Sequence, residues 1–253
     1  MNQNHRVPAI DRTIEMLGLL ERHEDGLSIQ EFVAASGVPR SSVYRILNSL
    51  ESHAVVQREA RGRYVLGSRL LGLAARVRQG PRNEDLAALA RPFLRQISAR
   101  THEASKISVL HAGGALCIEA MPGTSAYALA PLVGRSYPLH AGAASKVLFA
   151  AMDPRGRSAV LERGLRAYTQ RTLTDPAKVE AELRRVRRNG WAEDRGEFSM
   201  SVRALGAPVH DASGGVVAAI SIAYLAELHG ELGSDFRRAV IETADAVTAE
   251  LEG

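Results

Sequence analysis

The sequence predicts an α+β protein with two folded parts: a small helical domain that ends in a β-hairpin, and a larger domain with an antiparallel sheet and packed helices. Three observations lead to this prediction. The first eighty residues contain three helical patterns and one hairpin pattern, the dipeptide Gly80-Pro81 marks a boundary, and strand-like runs alternate with helices after it. A chain of 253 residues is long enough for one large domain or two modest ones.

The composition excludes several classes of protein. Hydrophobic residues make up 45% of the chain and charged residues 24%, which are ordinary proportions for a globular protein. A single cysteine, Cys117, excludes an intrachain disulfide framework and a multi-cysteine zinc site. No stretch approaches the ~20 apolar residues that span a bilayer, and the polar N-terminus lacks the apolar core of a secretory signal. We therefore expect a cytoplasmic protein with no membrane partner, no metal and no cofactor.

The first two helices are indicated by apolar spacing and by start and stop signals. A capping box of Ser28 and Glu31 begins the second helix, with Leu27 and Phe32 at the positions of a hydrophobic staple, and Gly37 is a natural residue to end it. The apolar residues of the first helix recur at helical spacing: Ile10, Ile14, Leu17 and Leu20.

A third helix starts near Pro39, and two helices joined by a tight turn form the helix-turn-helix pattern. Its apolar residues fall on one face: Val43, Ile46, Leu47 and Leu50. The opposite face carries hydroxyl, amide, aromatic and guanidinium groups and no acid, from Ser41, Tyr44, Arg45 and Asn48, with Arg40 and Ser42 beside them. Such groups hydrogen-bond to base edges and phosphates, which predicts a recognition helix for a DNA major groove. A merely solvated helix is the alternative, and the capped helix and tight turn before it argue against that.

A basic β-hairpin follows. Between Arg40 and Arg63 the chain has five arginines and only two acidic residues. The runs 55–58 and 63–66 flank a turn that contains glycine, and a hairpin after a recognition helix makes a winged helix-turn-helix. Arg61 and Arg63 at its tip are predicted to reach phosphates or the minor groove, the alternative being an ordinary solvated hairpin.

We predict a winged helix-turn-helix DNA-binding domain over residues 1–67, a linker helix over 68–81 and a second domain over 82–253. In the second domain a helix is expected from Asn83 to residue 100, kinked or divided by Pro92. Further strands are predicted over 104–111, 115–121, 127–132, 202–210 and 216–224, and helices over 141–151, 176–189 and 235–251. An antiparallel sheet with helices packed on it follows.

Patterns typical of catalysis are sparse. The chain has no nucleophile elbow, no nucleotide-binding fingerprint and no histidines at metal-ligand spacing. Ser145 and Lys146 are adjacent in a predicted helix, where neighbouring side chains point about 100° apart, so neither activates the other readily. The acids Glu193, Asp194 and Glu197 are better explained as a charged loop than as an acid–base pair. We therefore expect a protein that is not an enzyme.

Along nearly its whole length the sequence resembles the IclR-type bacterial transcriptional regulators. The resemblance is carried by residues 27–31, 37–47 and 62–67 in the first half, and by 138–146, 189–191, 203–209 and 216–222 in the second. It implies a winged DNA-binding domain, a linker helix and a GAF-like domain that binds a small metabolite, usually an organic or aromatic acid. It also implies homodimers or homotetramers on pseudo-palindromic double-stranded operators.

The resemblance further implies the residues of the effector pocket. One wall is expected from Leu139, Ala143 and Ala144, and the others from Asp194, Ala204, Ser221 and Ala223. Ala204 and Ala223 stand where some family members have Cys or Ser, and Ser145 replaces a usual Gly. With fewer hydrogen-bond donors, the expected effector is a larger, partly apolar carboxylate rather than glyoxylate.

Two other functions remain as alternatives. The second domain could be an enzyme that turns over the acid, but the expected lining offers only Asp194 and Ser221 for chemistry. The winged helix could contact protein alone, but its acid-free, arginine-rich face disfavours that. The identity of the effector, the target genes, the choice of repressor or activator and the choice of dimer or tetramer are all left open.

Overall fold

The structure of the chain, a computed structural model, describes residues 7–23, 25–59, 62–78, 81–229 and 233–252. The chain divides into two compact units, Met1–Gly80 and Pro81–Gly253. None of the helices in the described ranges is long and apolar enough to cross a bilayer.

The first unit is a winged helix-turn-helix. Its elements are α1 (Pro8–Leu20), α2 (Ile29–Ser36), α3 (Arg40–Ser52), β1 (Val56–Arg58), β2 (Tyr64–Leu66) and α4 (Arg69–Arg78), and β1 pairs with β2 in an antiparallel ladder. One small core joins the helices to the hairpin; it includes Met16, Leu20, Phe32, Val43, Leu47 and Tyr64.

The signals that predicted α2 act as expected. The Ser28 amide donates to Glu31 Oε2 at 2.7 Å and the Glu31 amide donates to Ser28 Oγ at 3.4 Å, which completes the capping box. Gly37 ends the helix in the left-handed conformation at φ 66°, and its amide donates to the Val33 carbonyl. The chain therefore turns sharply into α3.

A short bridge fixes the hairpin to the start of α2. The amides and carbonyls of Leu27 and Tyr64 exchange two hydrogen bonds, of 3.0 and 2.8 Å. Gly26 precedes this bridge at φ 69°, and a Cβ there would lie 2.4 Å from the Tyr64 carbonyl oxygen. Only glycine permits this approach, so the orientation of the hairpin depends on Gly26.

The second unit is an antiparallel sheet with helices on both faces. Its elements are α5 (Pro81–Thr101), β3 (Ala104–His111), β4 (Gly114–Met121), β5 (Ser136–Tyr137), α6 (Ala143–Ala151), α7 (Pro154–Glu162), α8 (Pro176–Asn189), β6 (Ala192–Asp194), β7 (Val202–His210), β8 (Val216–Leu225), α9 (Ala226–His229) and α10 (Gly233–Glu252). The strand order is β5-β4-β3-β8-β7-β6. Helices α5 and α10 cover one face with the larger core, and α6 and α8 cover the other.

The structure adds β5, β6, α7 and α9, which the sequence did not predict, and two of the predicted elements differ. The helix expected from Asn83 begins at Pro81 and continues without division through Pro92, because its buried residues Ala90, Leu94 and Ile97 hold it against the sheet. Residues 127–132 form no strand. Their segment is tied at its start by the Thr124 and Ser125 amides, which donate to the His102 carbonyl, and it crosses a cavity rather than pairing with the sheet.

Candidate functional sites

The predicted recognition face of α3 lies on the outside of the first unit. Ser41, Tyr44, Arg45 and Asn48 are exposed, while Val43 and Leu47 on the opposite face are completely buried. Tyr44 keeps 51% of its surface exposed, which is unusual for an aromatic residue in a folded domain. Arg40 is also exposed and Ser42 is half-buried. The polar face is therefore available to a partner.

A second guanidinium lies beside this face, and the sequence analysis missed it. Arg12 on α1 lines a shallow groove together with Ser42, Arg45 and Ser49 on α3. Within the described residues, Arg12, Arg40 and Arg45 form no ion pair, so their charges are not neutralised there. The contact depends on how α1 packs on α3, which no local pattern in the sequence reveals.

The hairpin presents a different arrangement from the one predicted. The Arg63 guanidinium donates to the carbonyls of Asp25 and Gly26 at 2.9 and 2.7 Å, and lies 3.2 Å from Glu31 Oε2. Arg63 therefore anchors the hairpin to α2. Arg61 lies outside the described residues. Arg58, which was not predicted, is exposed on β1 and stacks over the Tyr64 ring at 5.7 Å.

The second unit holds a cavity of about 220 Å³ between the sheet and the N-terminus of α6. Strand register explains the space. Ala104, Ala223, Ala204 and Asp194 form one row across four strands, and Lys106, Ser221, Gly206 and Ala192 form the next. Because residues two apart on a strand share a face, both rows face the same side of the sheet. Most of these side chains are small, which leaves room for a ligand.

Gly206 brings the N-terminus of α6 close to this floor. A Cβ at Gly206 would lie 2.9 Å from the Ala144 amide nitrogen and 3.0 Å from the Ala143 carbonyl carbon. Helix α6 begins at Ala143 without a side-chain cap, and both Ala143 and Ala144 line the cavity. Unpaired amides at a helix N-terminus attract anions, so this end of the cavity favours negative charge.

Two cations also line the cavity, and neither was predicted. Lys106 Nζ lies 3.5 Å from the centre of the Tyr137 ring, and Arg135 stacks over the rings of Tyr137 and Phe198 at 5.3 and 5.9 Å. Burial, together with the charge of Arg135, lowers the pKa of Lys106 to about 8, against the opposite effect of Cys117 and Asp194. The available signal was the rarity of lysine: the chain has only Lys106, Lys146 and Lys178.

Asp194 is held by the backbone of its own loop. Its Oδ1 accepts from the amides of Gly196 and Glu197 at 2.9 and 2.6 Å. Burial raises the pKa of Asp194, although these hydrogen bonds and the charge of Lys146 oppose that shift. The same loop carries Phe198 into the cavity wall. Asp194 therefore shapes the wall as well as facing the cavity.

Lys146 fastens this loop from behind. Its Nζ contacts Glu197 Oε1 at 2.6 Å, Glu182 Oε1 at 3.0 Å and the Glu193 carbonyl at 2.5 Å, with only 2% of the side chain exposed. Burial raises the pKa of Glu197 to about 7, against the attraction of Lys146. Hydrogen bonds from Arg185 and the charge of Lys146 outweigh burial at Glu182 and lower its pKa to about 2. Lys146 thus links α6, α8 and the cavity wall.

The structure brings together most of the predicted pocket. Six of the seven residues expected there line the same cavity: Ala143, Ala144, Asp194, Ala204, Ser221 and Ala223. Leu139 does not. It is 2% exposed and packs in the core formed with α6 and α8, because its side chain points away from the cavity into the apolar cluster around Val147 and Leu148.

The cavity contains little that could carry out a reaction. Ser221 Oγ is buried and has no hydrogen-bond partner among the described residues, so no base activates it. The carboxylate of Asp194 is occupied by backbone amides. In the part of the chain that the structure describes, no group of three His, Cys, Asp or Glu residues is placed to hold a metal ion.

A winged helix-turn-helix unit joined to a unit with an anion-attracting cavity defines the class of ligand-responsive transcriptional regulators. The chain belongs to the IclR family of this class, as the sequence predicts. The family model described as the IclR helix-turn-helix domain matches residues 9–60, and that described as bacterial transcriptional regulator IclR C-terminal matches residues 81–249. The second match assigns an effector-binding domain to the larger unit.

Known proteins support this assignment along the whole chain. The HTH-type transcriptional regulator Rv1719 of Mycobacterium tuberculosis is 35% identical over 84% of this chain and 80% of its own length. The glycerol operon regulatory protein of Streptomyces griseus is 32% identical over 97% and 96%. The crystal structure of an IclR homologue from Microbacterium hydrocarbonoxydans, complexed with 4-hydroxybenzoate, matches with a TM-score of 0.74 at 22% identity, over 96% and 98%. The first two relatives are named as regulators, and their family is not enzymatic, which agrees with the prediction.

Proposed function

We propose that this protein binds double-stranded operator DNA as a homo-oligomer, and that a small, partly apolar organic acid bound in its C-terminal domain controls this binding. The site of action is then the cytoplasm, where bacterial DNA lies. The proposal rests above all on the exposed face of α3, which is cationic, carries hydrogen-bonding groups and has no acid between Arg40 and Leu50.

Each group on this face has a distinct proposed role. Arg45 and Asn48 read base edges, for which a guanidinium suits guanine and an amide suits adenine. Ser41, Ser42 and Tyr44 fix the register of the helix in the groove. Arg40 neutralises a phosphate. We add Arg12 and Arg58 to the phosphate contacts, because both are exposed near this face or on the hairpin and neither forms an ion pair within the described residues.

Arg63 takes a different role from the one that the sequence suggested. A phosphate contact would require it to give up its bonds to Asp25, Gly26 and Glu31. We therefore assign Arg63 to holding the hairpin at its angle to α3. Arg61, which lies outside the described residues, stays a proposed contact to phosphate or the minor groove.

A dimer would give the operator its symmetry. Two recognition helices in successive major grooves lie about 34 Å apart, which requires a pseudo-palindrome. Helix α4 supports the proposal, since Leu71 and Leu73 remain 75% and 49% exposed in the single chain. Burial of such side chains against a second copy would be favourable. A tetramer would pair two such dimers.

The effector proposal rests on the cavity. An apolar cavity of ~150 Å³ can hold benzene, so about 220 Å³ has room for a ring that carries a carboxylate. The relative from Microbacterium hydrocarbonoxydans was crystallised with 4-hydroxybenzoate, an acid of this kind. The alanine floor offers few hydrogen bonds to a very small oxoacid such as glyoxylate.

Selection of genomic fragments tests the DNA-binding proposal. Purified protein is incubated at low ionic strength with sheared genomic DNA of its source, and the bound fragments are sequenced. We expect enrichment of a few fragments that share a pseudo-palindrome, and loss of that enrichment for Arg45→Ala. Uniform recovery of all fragments, or recovery of none, would contradict the proposal.

Thermal denaturation with a panel of organic acids tests the effector proposal. A ligand that binds only the folded state raises the melting temperature in proportion to RT ln(1 + [L]/Kd). We expect aromatic or branched carboxylates to stabilise the protein. Stabilisation by glyoxylate or pyruvate alone would contradict the proposal of a partly apolar ligand.

A further inference from the structure

Lys106 is a cation in a ligand cavity without an anion of its own. Among the described residues its side chain forms no hydrogen bond or ion pair, and its ammonium group lies against the face of the Tyr137 ring. An aromatic face attracts a cation weakly, at about 0.5–2 kcal/mol, which does not replace lost hydration or a carboxylate partner. Asp194, which attracts Lys106 electrostatically, is more than 4.0 Å away, since no ion pair joins them.

A second polar group beside Lys106 also lacks a partner. Ser221 pairs directly with Lys106 in the register of β3 and β8, so the two side chains are neighbours on the cavity floor. Ser221 is 2% exposed, and its hydroxyl forms no hydrogen bond within the described part of the chain. A buried hydroxyl without a partner costs free energy, and a ligand oxygen would relieve that cost. The start of α6 lines the same cavity.

Apart from Asp194, Arg135 and Ser199, the rest of the cavity is lined by apolar side chains, Gly142 and the Tyr137 ring. Its floor continues through three alanines and Val202, and other parts of its wall are formed by aliphatic and aromatic groups: Leu129, Ala130, Pro131 and Phe198. A polyol or a sugar would leave most of its hydroxyl groups without partners here, which disfavours such ligands strongly. A flat apolar body with a single anionic end satisfies both parts of the cavity.

We propose that Lys106 is the residue that makes the effector site prefer a single-ring carboxylic acid to its neutral amide. The carboxylate lies between Lys106 Nζ and Ser221 Oγ, and the ring lies on the alanine floor. Arg135, which is exposed at the mouth, adds positive potential above the ring. This inference rests on the proposed function of the cavity as the effector site.

Titration calorimetry on the full chain with benzoate and benzamide tests the inference. The two probes have the same shape but differ in charge, so their ratio of affinities measures recognition of the carboxylate. We expect the native protein to bind benzoate at least about tenfold more tightly than benzamide, as for a charge-assisted hydrogen bond. Equal affinities for the two probes, or no detectable binding of benzoate, would overturn the inference.

Three variants test which residue causes the preference for benzoate over benzamide. Lys106→Met should weaken benzoate binding about 10- to 100-fold while leaving benzamide binding within about threefold, and Ser221→Ala should weaken benzoate binding less. Lys178→Met, an exposed lysine on α8 that does not line the cavity, is the matched control and should bind both probes like the native protein. A merely structural role of Lys106 would lower both affinities together, and that result would count against the inference.

The test of the role of Lys106 can fail independently of the DNA-binding proposal. Replacement of a charged cavity side chain by methionine removes a burial cost, so Lys106→Met should fold, and its melting temperature checks this. Operator binding by the same preparations is measured separately. If the protein binds operator but does not bind benzoate, the inference about Lys106 is wrong and the DNA-binding proposal stands. If it binds benzoate selectively but no DNA, the inference stands and the DNA-binding proposal fails.

Discussion

Single side chains on α3 carry the most direct consequences for DNA binding. Arg45 is exposed on the polar face and has no partner ion within the described residues. Arg45→Ala should therefore weaken operator binding by about 1–3 kcal/mol if the guanidinium contacts a base in bidentate fashion. Gel-shift titration on the selected fragment measures this. Arg188→Ala, which removes an exposed arginine on α8, is the control, and an equal loss in both variants would show that only net charge matters.

A second single side chain, Lys106, should make effector binding depend on pH. Its pKa of about 8 should rise when a carboxylate binds, so binding takes up a proton above pH 8. Benzoate affinity is then constant below about pH 8 and falls by up to about tenfold per pH unit above it. Two neighbouring acids leave this window clear, because burial raises the pKa of Tyr137 from its usual value of 10 and raises the pKa of Cys117 to about 11. Burial also raises the pKa of Asp194, against the hydrogen bonds of its loop and the charge of Lys146. Calorimetry between pH 7 and pH 10 tests it, and Lys106→Met should abolish the dependence.

The buried ion pairs of Lys146 predict a stability effect. Lys146→Met leaves Glu197 buried without a counter-ion and should destabilise the protein by about 3–5 kcal/mol at pH 8. The pKa of Glu197, already about 7, rises further in the variant. A carboxyl group whose pKa is higher in the folded than in the unfolded protein destabilises the fold as the pH rises above its unfolded-state pKa. The loss of stability in the variant should therefore be smaller at pH 5 than at pH 8. Urea denaturation at both values checks this.

Two variants complete that experiment. Adding Glu197→Gln to Lys146→Met removes the uncompensated charge and should recover part of the loss at pH 8. Lys178→Met changes an exposed lysine and should stay within about 0.5 kcal/mol of the native protein. An equal deficit at pH 5 and pH 8 would mean that lost packing, and not the charge of Glu197, causes the effect.

Among the elements, the packing of α6 on β7 is the contact on which the cavity depends. Gly206→Ala would place a Cβ 2.9 Å from the Ala144 amide nitrogen. Because the nearest atoms of α6 belong to the backbone, they have little room to move away. We expect a loss of about 1–3 kcal/mol in stability, as for overpacking, together with weaker benzoate binding. Gly72→Ala in α4 meets no atom within 4 Å and should instead stabilise by up to about 1 kcal/mol. Similar changes in stability for Gly206→Ala and Gly72→Ala would contradict the proposed importance of the packing of α6 on β7.

Elements with local signals were predictable, and those set by distant contacts were not. The capping box at Ser28, the glycine at position 37 and the helix Pro176–Asn189 were confirmed, because each depends on neighbouring residues. Residues 127–132 were predicted as a strand because their composition suits one. Leu129, Ala130 and Pro131 line the cavity instead, and composition alone does not show which segments pair with the sheet.

The same distinction applies to the sites. The polar face of α3 follows from helical periodicity, so the sequence predicts its exposure. The floor of the cavity depends on register between β3, β8, β7 and β6, which pairs Lys106 with Ser221 across 115 positions of chain, 221 − 106. No local pattern encodes that pairing. The resemblance to the IclR family supplied six of the lining residues, but it did not supply the two cations, Lys106 and Arg135.

For the whole molecule, the balance between charge and base recognition determines how operator binding responds to salt. Three proposed phosphate contacts in each subunit, from Arg12, Arg40 and Arg58, give six in a dimer when Arg61 contacts the minor groove and not a phosphate. The logarithm of affinity should then fall with the logarithm of salt concentration at a slope of about −5, or about a thousandfold between 50 and 200 mM. Fluorescence anisotropy on the selected operator measures this slope.

Two variants distinguish contacts to phosphates from contacts to bases. Arg40→Ala removes two phosphate contacts per dimer, so the slope should become less steep by about two, with similar loss on all sequences. Arg45→Ala should leave the slope less changed and should reduce the preference for operator over unrelated DNA, because a base contact carries sequence information. If both variants change slope and preference alike, the proposed division between phosphate and base contacts is wrong, and the α3 face binds DNA by charge alone.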